Sequence, residues 1–287
     1  MSGPDVMDPL SPLQAQSLLH RYGVRPRKAL GQNFLISAAA RETILEAAEI
    51  QPGDTVLEIG PGLGALTERM AEDAARVIAV ELDASLHAIL QDMLANLENV
   101  TLIQGDILKL RPDDLGLEPG YVVAANIPYN ITSMLIRHLM ESKTPASRVV
   151  LTIQKEVAER IVAGPGEMSL LALSVQVFGR PSMWANIPSG AFFPAPKVDS
   201  AVLRVDMSPR SVLELDVIDT LFTLARAGFA QKRKQLKNSL AHGLPIDKAE
   251  TETLLKSCGV EPSTRAQMLD VETWLQLARV YRQIENG

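Results

Sequence analysis

The chain has 287 residues, with 28 lysines and arginines against 34 aspartates and glutamates, which gives a net charge of -6. Hydrophobic residues make up 46% and charged residues 22%, a globular composition that excludes a mainly disordered protein. The single cysteine, Cys258, excludes an intrachain disulfide and a cysteine-based zinc site, and it is typical of a reducing compartment.

No stretch of the sequence has the character of a targeting or membrane segment. The longest run without acidic or basic residues, from Pro119 to Ile136, contains two prolines and two asparagines. The N-terminal residues are polar and rich in proline, unlike a signal peptide. We therefore predict a soluble, cytoplasmic protein without a membrane partner.

The net charge hides an uneven distribution of basic residues. Residues 1–206 carry 17 basic and 24 acidic side chains, whereas residues 207–287 carry 11 and 10. Two windows, Arg21 to Lys28 and Arg226 to Lys237, are basic and contain no acid. An acidic total argues against nucleic acid as a partner, and one charged run is often only a solvated face. Two such runs at opposite ends of the chain keep a nucleic-acid partner open.

Hydrophobic periodicity predicts alternating strands and helices up to about residue 206. A flexible segment and a short helix occupy residues 1–22. The predicted strands are 55–59, 76–81, 100–104, 121–125, 148–154, 170–178 and 200–205, and the predicted helices are 10–22, 38–50, 63–71, 84–97, 133–140 and 155–162. Beyond residue 207 only helices are predicted, at 213–229, 246–257, 263–268 and 271–284. The pattern indicates a Rossmann-like α/β domain over 23–206, followed by a small all-α domain over 207–287.

A glycine-rich turn follows the first strong strand, as Gly60-Pro61-Gly62-Leu63-Gly64. By itself it fits an ordinary tight turn or a dinucleotide fingerprint, but its spacing departs from Gly-x-Gly-x-x-Gly. Glu58 precedes it within the strand, and Glu81 ends the next strand, where an acid can bind two ribose hydroxyls. Asp106, after the third strand, can accept a hydrogen bond from an adenine amine. Together these residues predict a nucleoside ligand at the carboxyl ends of the strands.

This order of residues resembles the S-adenosylmethionine pocket of class I methyltransferases. The resemblance implies S-adenosylmethionine as the methyl donor, S-adenosylhomocysteine as the product, and no metal. Cofactor binding is assigned to Asn33, Leu35, Gly60, Gly62, Glu81, Leu82, Asp106, Ile107 and Asn126.

The motif Asn126-Ile127-Pro128-Tyr129 follows the fourth strand and resembles the Asn/Asp-Pro-Pro-Tyr signature of methyltransferases that act on exocyclic amines of bases. The Asn126 side-chain oxygen and the Ile127 carbonyl would each accept a bond from adenine N6–H and so direct the nitrogen lone pair at the methyl group. Tyr129 would stack on the extruded base. Without the upstream pocket, the same motif would fit a plain turn with Tyr129 in the core.

A second aromatic cluster occurs in the segment from Phe192 to Ser200. A packed loop accounts for Phe193, and Phe192 is predicted to form the other side of a base-stacking slot opposite Tyr129. The catalytic set is therefore Asn126, Ile127, Pro128, Tyr129 and Phe192.

Over almost its whole length the chain resembles the ribosomal RNA small-subunit adenine dimethyltransferases. The matching segments are 27–35, 56–67, 80–83, 105–106, 126–131, 154–160, 192–202 and, in the helical domain, 229–238. The resemblance implies dimethylation of N6 on two adjacent adenosines in the 3′-terminal hairpin loop of 16S rRNA, within an immature 30S subunit. It also implies rRNA contacts from both domains, which we assign to Arg25, Arg27, Lys28, Arg226, Lys232, Arg233, Lys234 and Lys237. We expect a monomer.

Three alternatives remain at this point. An adenine dimethylase of 23S rRNA, of the macrolide-resistance type, shares the glycine loop and the Asn-Ile-Pro-Tyr motif, although the match over 229–238 favours the small-subunit enzyme. A non-catalytic rRNA-binding assembly factor would keep the fold but lack the intact site residues. A nicotinamide-dependent dehydrogenase does not fit the glycine spacing.

Overall fold

A computed structural model describes residues 11–208 and 215–285. Within them the chain divides into two compact units: residues up to 158 together with 181–207, and residues 159–180 together with those from 208 onward. The first ten residues of the predicted flexible segment, and residues 209–214 around the predicted domain boundary, lie outside the described residues. The division differs from the predicted domains in that residues 159–180 group with the helical unit and Met207 groups with the first unit.

The first unit is built on strands and helices that alternate along the chain. Its strands are β1 (Phe34–Leu35), β2 (Thr55–Ile59), β3 (Arg76–Glu81), β4 (Val100–Gln104), β5 (Val122–Asn126), β6 (Arg148–Gln154), β7 (Gly179–Ile187), β8 (Phe192–Phe193) and β9 (Ser200–Met207). Its helices are α1 (Pro12–Arg21), α2 (Ala38–Ala48), α3 (Thr67–Asp73), α4 (Ala84–Met93) and α5 (Thr132–Met140), and α6 (Lys155–Val162) leads out of it. Strand β7 begins in the second unit and continues into the first.

Seven strands form one sheet in the order β4-β3-β2-β5-β6-β9-β7. Strands β2 to β6 are parallel, and β9 runs antiparallel to β6. Strand β2 lies between β3 and β5, so the strand order reverses there and opens a crevice at the carboxyl ends. Strands β2, β3, β5 and β6 are largely apolar and almost fully buried, as expected of a sheet that is covered on both faces.

A two-stranded antiparallel pair holds the N-terminal segment against the rest of the first unit. In the register of β1 with β8, Phe34 lies opposite Phe193 and Leu35 opposite Phe192. Successive side chains point to opposite faces, so Leu35 and Phe192 join the core cluster beneath α2, while Phe34 and Phe193 pack with residues of α1 and α4. The pairing of β1 with β8 therefore fixes the position of the segment that precedes β1.

The second unit is helical. It contains α7 (Leu170–Gln176), α8 (Leu215–Phe229), α9 (Leu236–Gly243), α10 (Lys248–Ser257) and α11 (Val271–Glu285). Its core includes Trp274, whose ring stacks on Phe229 with centroids 5.5 Å apart. None of the helices within the described ranges is long and apolar enough to cross a membrane.

The predicted strand at 170–178 is wrong, because most of this segment is helix α7. Its short apolar run fits either element. The Ser169 side chain accepts a hydrogen bond from the Ala172 amide, which caps the start of a helix. At its end, the Phe178 ring stacks on Phe222 of α8 at 6.2 Å. This packing accounts for its membership in the helical unit.

Candidate active site

One cavity opens at the carboxyl ends of the parallel strands, where the strand order reverses. All nine residues predicted to bind the cofactor line it: Asn33, Leu35, Gly60, Gly62, Glu81, Leu82, Asp106, Ile107 and Asn126. Ile127 and Pro128 of the predicted catalytic set line it as well, whereas Tyr129 and Phe192 are not among its lining residues. The fold thus brings together segments that are far apart in the sequence, all within the first unit.

The glycine turn after β2 forms the floor of the cavity. Gly60 and Gly62 have φ angles of 68° and 63°, a left-handed conformation that favours glycine. A Cβ atom at Gly62 would lie 3.0 Å from Cδ1 of Phe34, so a side chain there would press on the aromatic ring. The two glycines therefore allow the tight turn and the packing of Phe34, and both line the cavity.

Glu81 is held by backbone amides on the wall of the cavity. Its carboxylate accepts hydrogen bonds from the amide of Asp83 at 2.8 Å and from the amide of Gly62 at 3.3 Å. The side chain is buried, and burial raises its pKa although these amides oppose the shift. A carboxyl group fixed in this way retains lone pairs that can accept from ligand hydroxyls.

Glu58 is a second buried acid that lines the cavity; it belongs to the predicted motif but not to the predicted site residues. The Thr67 hydroxyl donates to its carboxyl group at 2.5 Å. Burial raises the pKa of Glu58 to about 8. The hydrogen bond from Thr67 opposes this rise, and the negative charge of the nearby Glu81 adds to it. Its carboxyl group is therefore largely protonated at neutral pH. An acid inside an otherwise apolar strand was the available signal.

Glu58→Gln is expected to flatten the pH dependence of stability between about pH 5 and pH 8. Folding raises the pKa of Glu58 from 4.5 to about 8, so in this range only the unfolded chain releases the proton. The contribution of Glu58 to the free energy of unfolding is thus largest at low pH and falls as pH rises, by at most about 1.4 kcal/mol per pH unit. Glutamine mimics the neutral acid and removes this dependence.

Urea unfolding of both proteins at several pH values measures the effect. Glu98→Gln, at an exposed position, is the matched control and should follow the wild type. Equal slopes of unfolding free energy against pH for the wild type and Glu58→Gln would contradict the prediction.

Asn126 ends β5 at the rim of the cavity, and its carboxamide is oriented by the backbone. Its Nδ2 donates to the carbonyl oxygen of Asn33 at 2.9 Å. Asn33 is itself held, because its Nδ2 donates to the Gly31 carbonyl at 3.1 Å. Since the nitrogen end of the Asn126 amide is engaged, the oxygen end is left as the acceptor for an incoming N–H group.

Asp83 links the N-terminal segment to the end of β3, a contact that the sequence does not predict. The carboxylate is buried, caps α4 through the Ser85 amide and accepts from Gln32 Nε2 at 2.9 Å. Gln32 in turn accepts from the Arg27 amide, and the Arg27 guanidinium lies 3.4 Å from Asp83. Arg27, predicted to bind RNA, is thus also a support of the cavity wall, although its side chain remains 55% exposed.

The two aromatic residues of the predicted base-stacking slot differ in their surroundings. Tyr129 is half-buried beyond the cavity rim, and its phenol oxygen lies 2.5 Å from Oγ of Ser200. Phe192 is only 3% exposed and packs in the core beneath α2. The prediction that Phe192 forms one side of the base-stacking slot is therefore wrong, because its ring is buried in the core. The pairing of β8 with β1 turns its ring inward, on the side opposite to Phe193.

Most of the residues predicted to bind RNA are exposed. They are Arg25, Arg27 and Lys28 in the first unit, and Arg226, Lys232, Arg233 and Lys234 in the second. Lys237 differs, because its ammonium group lies 2.9 Å from the Glu252 carboxylate and its side chain is 23% exposed. The ion pair occupies the Lys237 ammonium group in this structure, and the role of Lys237 in RNA binding stays a prediction. Within residues 11–208 and 215–285, no group of three or more His, Cys, Asp or Glu side chains is placed to hold a metal ion.

Comparison with known proteins identifies the family. A family model described as ribosomal RNA adenine dimethylase matches residues 23–283. A Dehalococcoides mccartyi protein named ribosomal RNA small subunit methyltransferase A is 44% identical over 270 residues, which are 93% of this chain and 92% of that protein. The Moorella thermoacetica protein of the same name is 39% identical over 280 residues, or 94% and 97% of the two chains.

Two solved structures are also similar to the chain. A dimethyladenosine transferase from Plasmodium falciparum has a TM-score of 0.75 and 27% identity, and the match covers 87% of this chain and 98% of that one. The 23S rRNA methyltransferase ErmE has a TM-score of 0.70 and 26% identity, with 86% and 98% covered.

The fold and the cavity define a class I methyltransferase, the class that uses S-adenosylmethionine. The chain belongs to the ribosomal RNA adenine dimethylase family. The predicted fold class, family and enzyme class are thereby confirmed. The binding roles of individual residues stay predictions.

Proposed function

We propose that the chain transfers methyl groups from S-adenosylmethionine to N6 of two adjacent adenosines in the 3′-terminal hairpin loop of 16S rRNA. The observation that carries this proposal is the Asn126 carboxamide, anchored at 2.9 Å on Asn33 at the rim of a cavity suited to a nucleoside. The relatives named small subunit methyltransferase A support 16S rRNA as the substrate.

The residues of the cavity fit S-adenosylmethionine. The glycine turn at Gly60 and Gly62 admits a ligand close to the backbone, and Glu81 offers acceptors for the two ribose hydroxyls. Leu82 is 53% exposed at the cavity and offers an apolar surface for the adenine ring, with Asp106 able to accept from its amine. When bound, the cofactor supplies an electrophilic methyl group on a sulfonium sulfur.

The chain contributes positioning and electrostatics to the reaction. In the first transfer the oxygen of Asn126 and the carbonyl of Ile127 would accept the two N6–H groups of the target adenine, and in the second transfer one of them would accept the single N6–H that remains. Both oxygens would stabilise the positive charge on the nitrogen as the new bond forms, and the proton that the nitrogen then loses passes to water. These acceptors also aim the nitrogen lone pair into the cavity, which replaces the need for a strong base. Tyr129 offers its ring to the extruded base.

The substrate in this proposal is rRNA within an immature 30S subunit, bound by a monomer in the cytoplasm. The exposed cations of both units, such as Arg25, Lys28, Arg233 and Lys234, would contact phosphates and position the RNA without reading its bases. No metal is assigned a role.

The double charge reversal Arg233→Glu/Lys234→Glu is expected to weaken binding to small-subunit particles by at least about tenfold at moderate salt, since each lost phosphate contact also removes counterion release. Cofactor affinity should not change, because both residues lie in the helical unit and the cavity in the other. Filter binding at several salt concentrations measures the effect. The exposed pair Lys248→Glu/Lys256→Glu is the matched control, and equal binding by the two double variants would contradict the phosphate-contact role.

The test of the proposed function is methyl transfer with labelled cofactor to unmethylated 30S particles, 50S particles and naked 16S rRNA. Dimethyladenosine in the 3′-terminal hairpin of 16S rRNA is the expected product. Label in 23S rRNA instead would favour the alternative function, adenine dimethylation of 23S rRNA, which the similarity to ErmE supports. Binding to 30S particles without any transfer would indicate an assembly factor.

A further inference from the structure

The hydroxyl of Ser200 forms a contact that the reaction described above does not use. Ser200 is the first residue of β9 and is fully buried. Its Oγ lies 2.5 Å from the phenol oxygen of Tyr129, which belongs to the Asn-Ile-Pro-Tyr motif although the two residues are far apart in the sequence. This is a close hydrogen bond between a fixed strand and the half-buried residue predicted to stack on the base.

Ser200 is held in place from several sides. In the antiparallel register of β6 with β9 it lies opposite Gln154. The preceding residue, Asp199, accepts the Lys155 amide on its carbonyl at 3.1 Å and the Ser189 amide on its carboxylate at 2.9 Å. These bonds anchor the start of β9, so the Ser200 hydroxyl is a rigid partner rather than part of a mobile loop.

The strand register places this hydroxyl on the same sheet face as the acceptor amide. Asn126 pairs with Thr152 across β5 and β6, and Gln154, two residues further along β6, pairs with Ser200. Paired residues and residues two apart along a strand point to the same face. The Asn126 amide and the Ser200 hydroxyl therefore stand on one face at the carboxyl edge of the sheet, with β6 between their strands.

We propose that Ser200 is a positioning residue, which holds the Tyr129 ring at the angle required to stack the target adenine beside Asn126. The proposal rests on the proposed function. Tyr129 begins a short 3₁₀ turn (Tyr129–Ile131), where its side chain can still rotate, and a hydrogen bond at the phenol oxygen restricts that rotation. Burial raises the pKa of Tyr129, so its phenol stays protonated and keeps this bond at neutral and mildly alkaline pH.

The test is a double-mutant cycle of Tyr129→Phe and Ser200→Ala. Tyr129→Phe keeps the ring and removes only the hydroxyl, and Ser200→Ala removes the partner. Each single variant is expected to lower kcat for 30S methylation about three- to tenfold, the order of one lost hydrogen bond, with the affinity for S-adenosylhomocysteine unchanged. The double variant should be no slower than either single variant, because both remove the same interaction.

A further measurement and a control variant separate positioning from general stability. Fluorescence of 2-aminopurine at the target adenosine reports base stacking and should change equally in the two single variants. Ser239→Ala, at another buried serine, is the matched control and should leave kcat and fluorescence at wild-type values. Multiplicative losses of kcat in the double variant, or a loss in Ser200→Ala with wild-type kcat in Tyr129→Phe, would overturn the proposal.

The cycle also distinguishes this proposal from the function on which it rests. If the wild type transfers no methyl group, the proposed function fails. The coupling of Tyr129 and Ser200 in the free energy of unfolding, together with the 2-aminopurine signal on bound RNA, then still decides the positioning role. The positioning role would be refuted if the two substitutions had additive effects on the free energy of unfolding and neither changed the 2-aminopurine signal.

Discussion

Asn126→Ala is expected to slow methyl transfer to 30S particles about 100-fold or more at saturating cofactor, because it removes a preorganised acceptor from the reacting amine. The Nδ2 bond to the Asn33 carbonyl places the oxygen end of this side chain toward the incoming N–H group. Alanine offers no replacement. Single-turnover transfer of labelled methyl groups, followed by quantification of dimethyladenosine, measures the loss.

Asn126→Asp tests whether the acceptor oxygen or the amide nitrogen of this side chain matters more for the rate. Aspartate keeps an acceptor oxygen but replaces the nitrogen donor with a second oxygen, which faces the Asn33 carbonyl at the 2.9 Å position. Its rate should therefore fall between those of the wild type and the alanine variant. Asn96→Ala, at an exposed asparagine after α4, serves as the control. Dimethyladenosine formed by Asn126→Ala at the wild-type rate would refute the catalytic role of this residue.

Glu81→Ala is expected to weaken binding of S-adenosylhomocysteine about 100-fold, a change of about 2.7 kcal/mol, which matches the loss of one or two hydrogen bonds to a charged acceptor. The substitution removes the acceptors for the ribose hydroxyls and also the carboxylate that holds the Gly62 and Asp83 amides. The glycine turn thus loses its anchor together with the ligand contact. Isothermal titration calorimetry measures the affinity.

The kinetic signature of Glu81→Ala should be opposite to that of Asn126→Ala. Saturating cofactor restores a rate that is lost through weaker cofactor binding. It does not restore a rate that is lost because a group acting on the amine has been removed. Glu98→Ala, an exposed glutamate, is the matched control for the loss of a carboxylate. An unchanged dissociation constant for Glu81→Ala would remove this residue from the cofactor site.

The cavity could be predicted because its residues follow local patterns. The turn that follows β2 at Gly60 and the end of β3 at Glu81 meet at one edge because the two strands are parallel neighbours, and the structure pairs them in this way. Asn126 follows by the same rule on β5. The alternation of strands and helices was therefore sufficient to predict which of these distant segments would share a site.

The missed features depend on contacts that leave no local pattern. Gln32 and Asp83 are 51 residues apart, and nothing in either segment indicates the bond between them. The sequence does not predict the burial of Phe192 because its partner strand, β1, has only two residues, too few for a periodic signal. The sequence predicts a strand in place of helix α7 because a short apolar run fits either element until its packing partner is known.

The pairing of β1 with β8 has a consequence for synthesis of the protein on the ribosome. The chain emerges from its N-terminus, so Asn33 and Leu35 leave the ribosome long before the Phe192–Phe193 strand that fixes them exists. Contacts between such distant segments form late, because a long loop must close first. A nascent chain that stops before β8 therefore has the glycine turn, both acids and the bond between Gln32 and Asp83, but it lacks the strand pairing that completes one wall of the cavity. Acquisition of cofactor affinity during translation would mark the point at which this wall is complete.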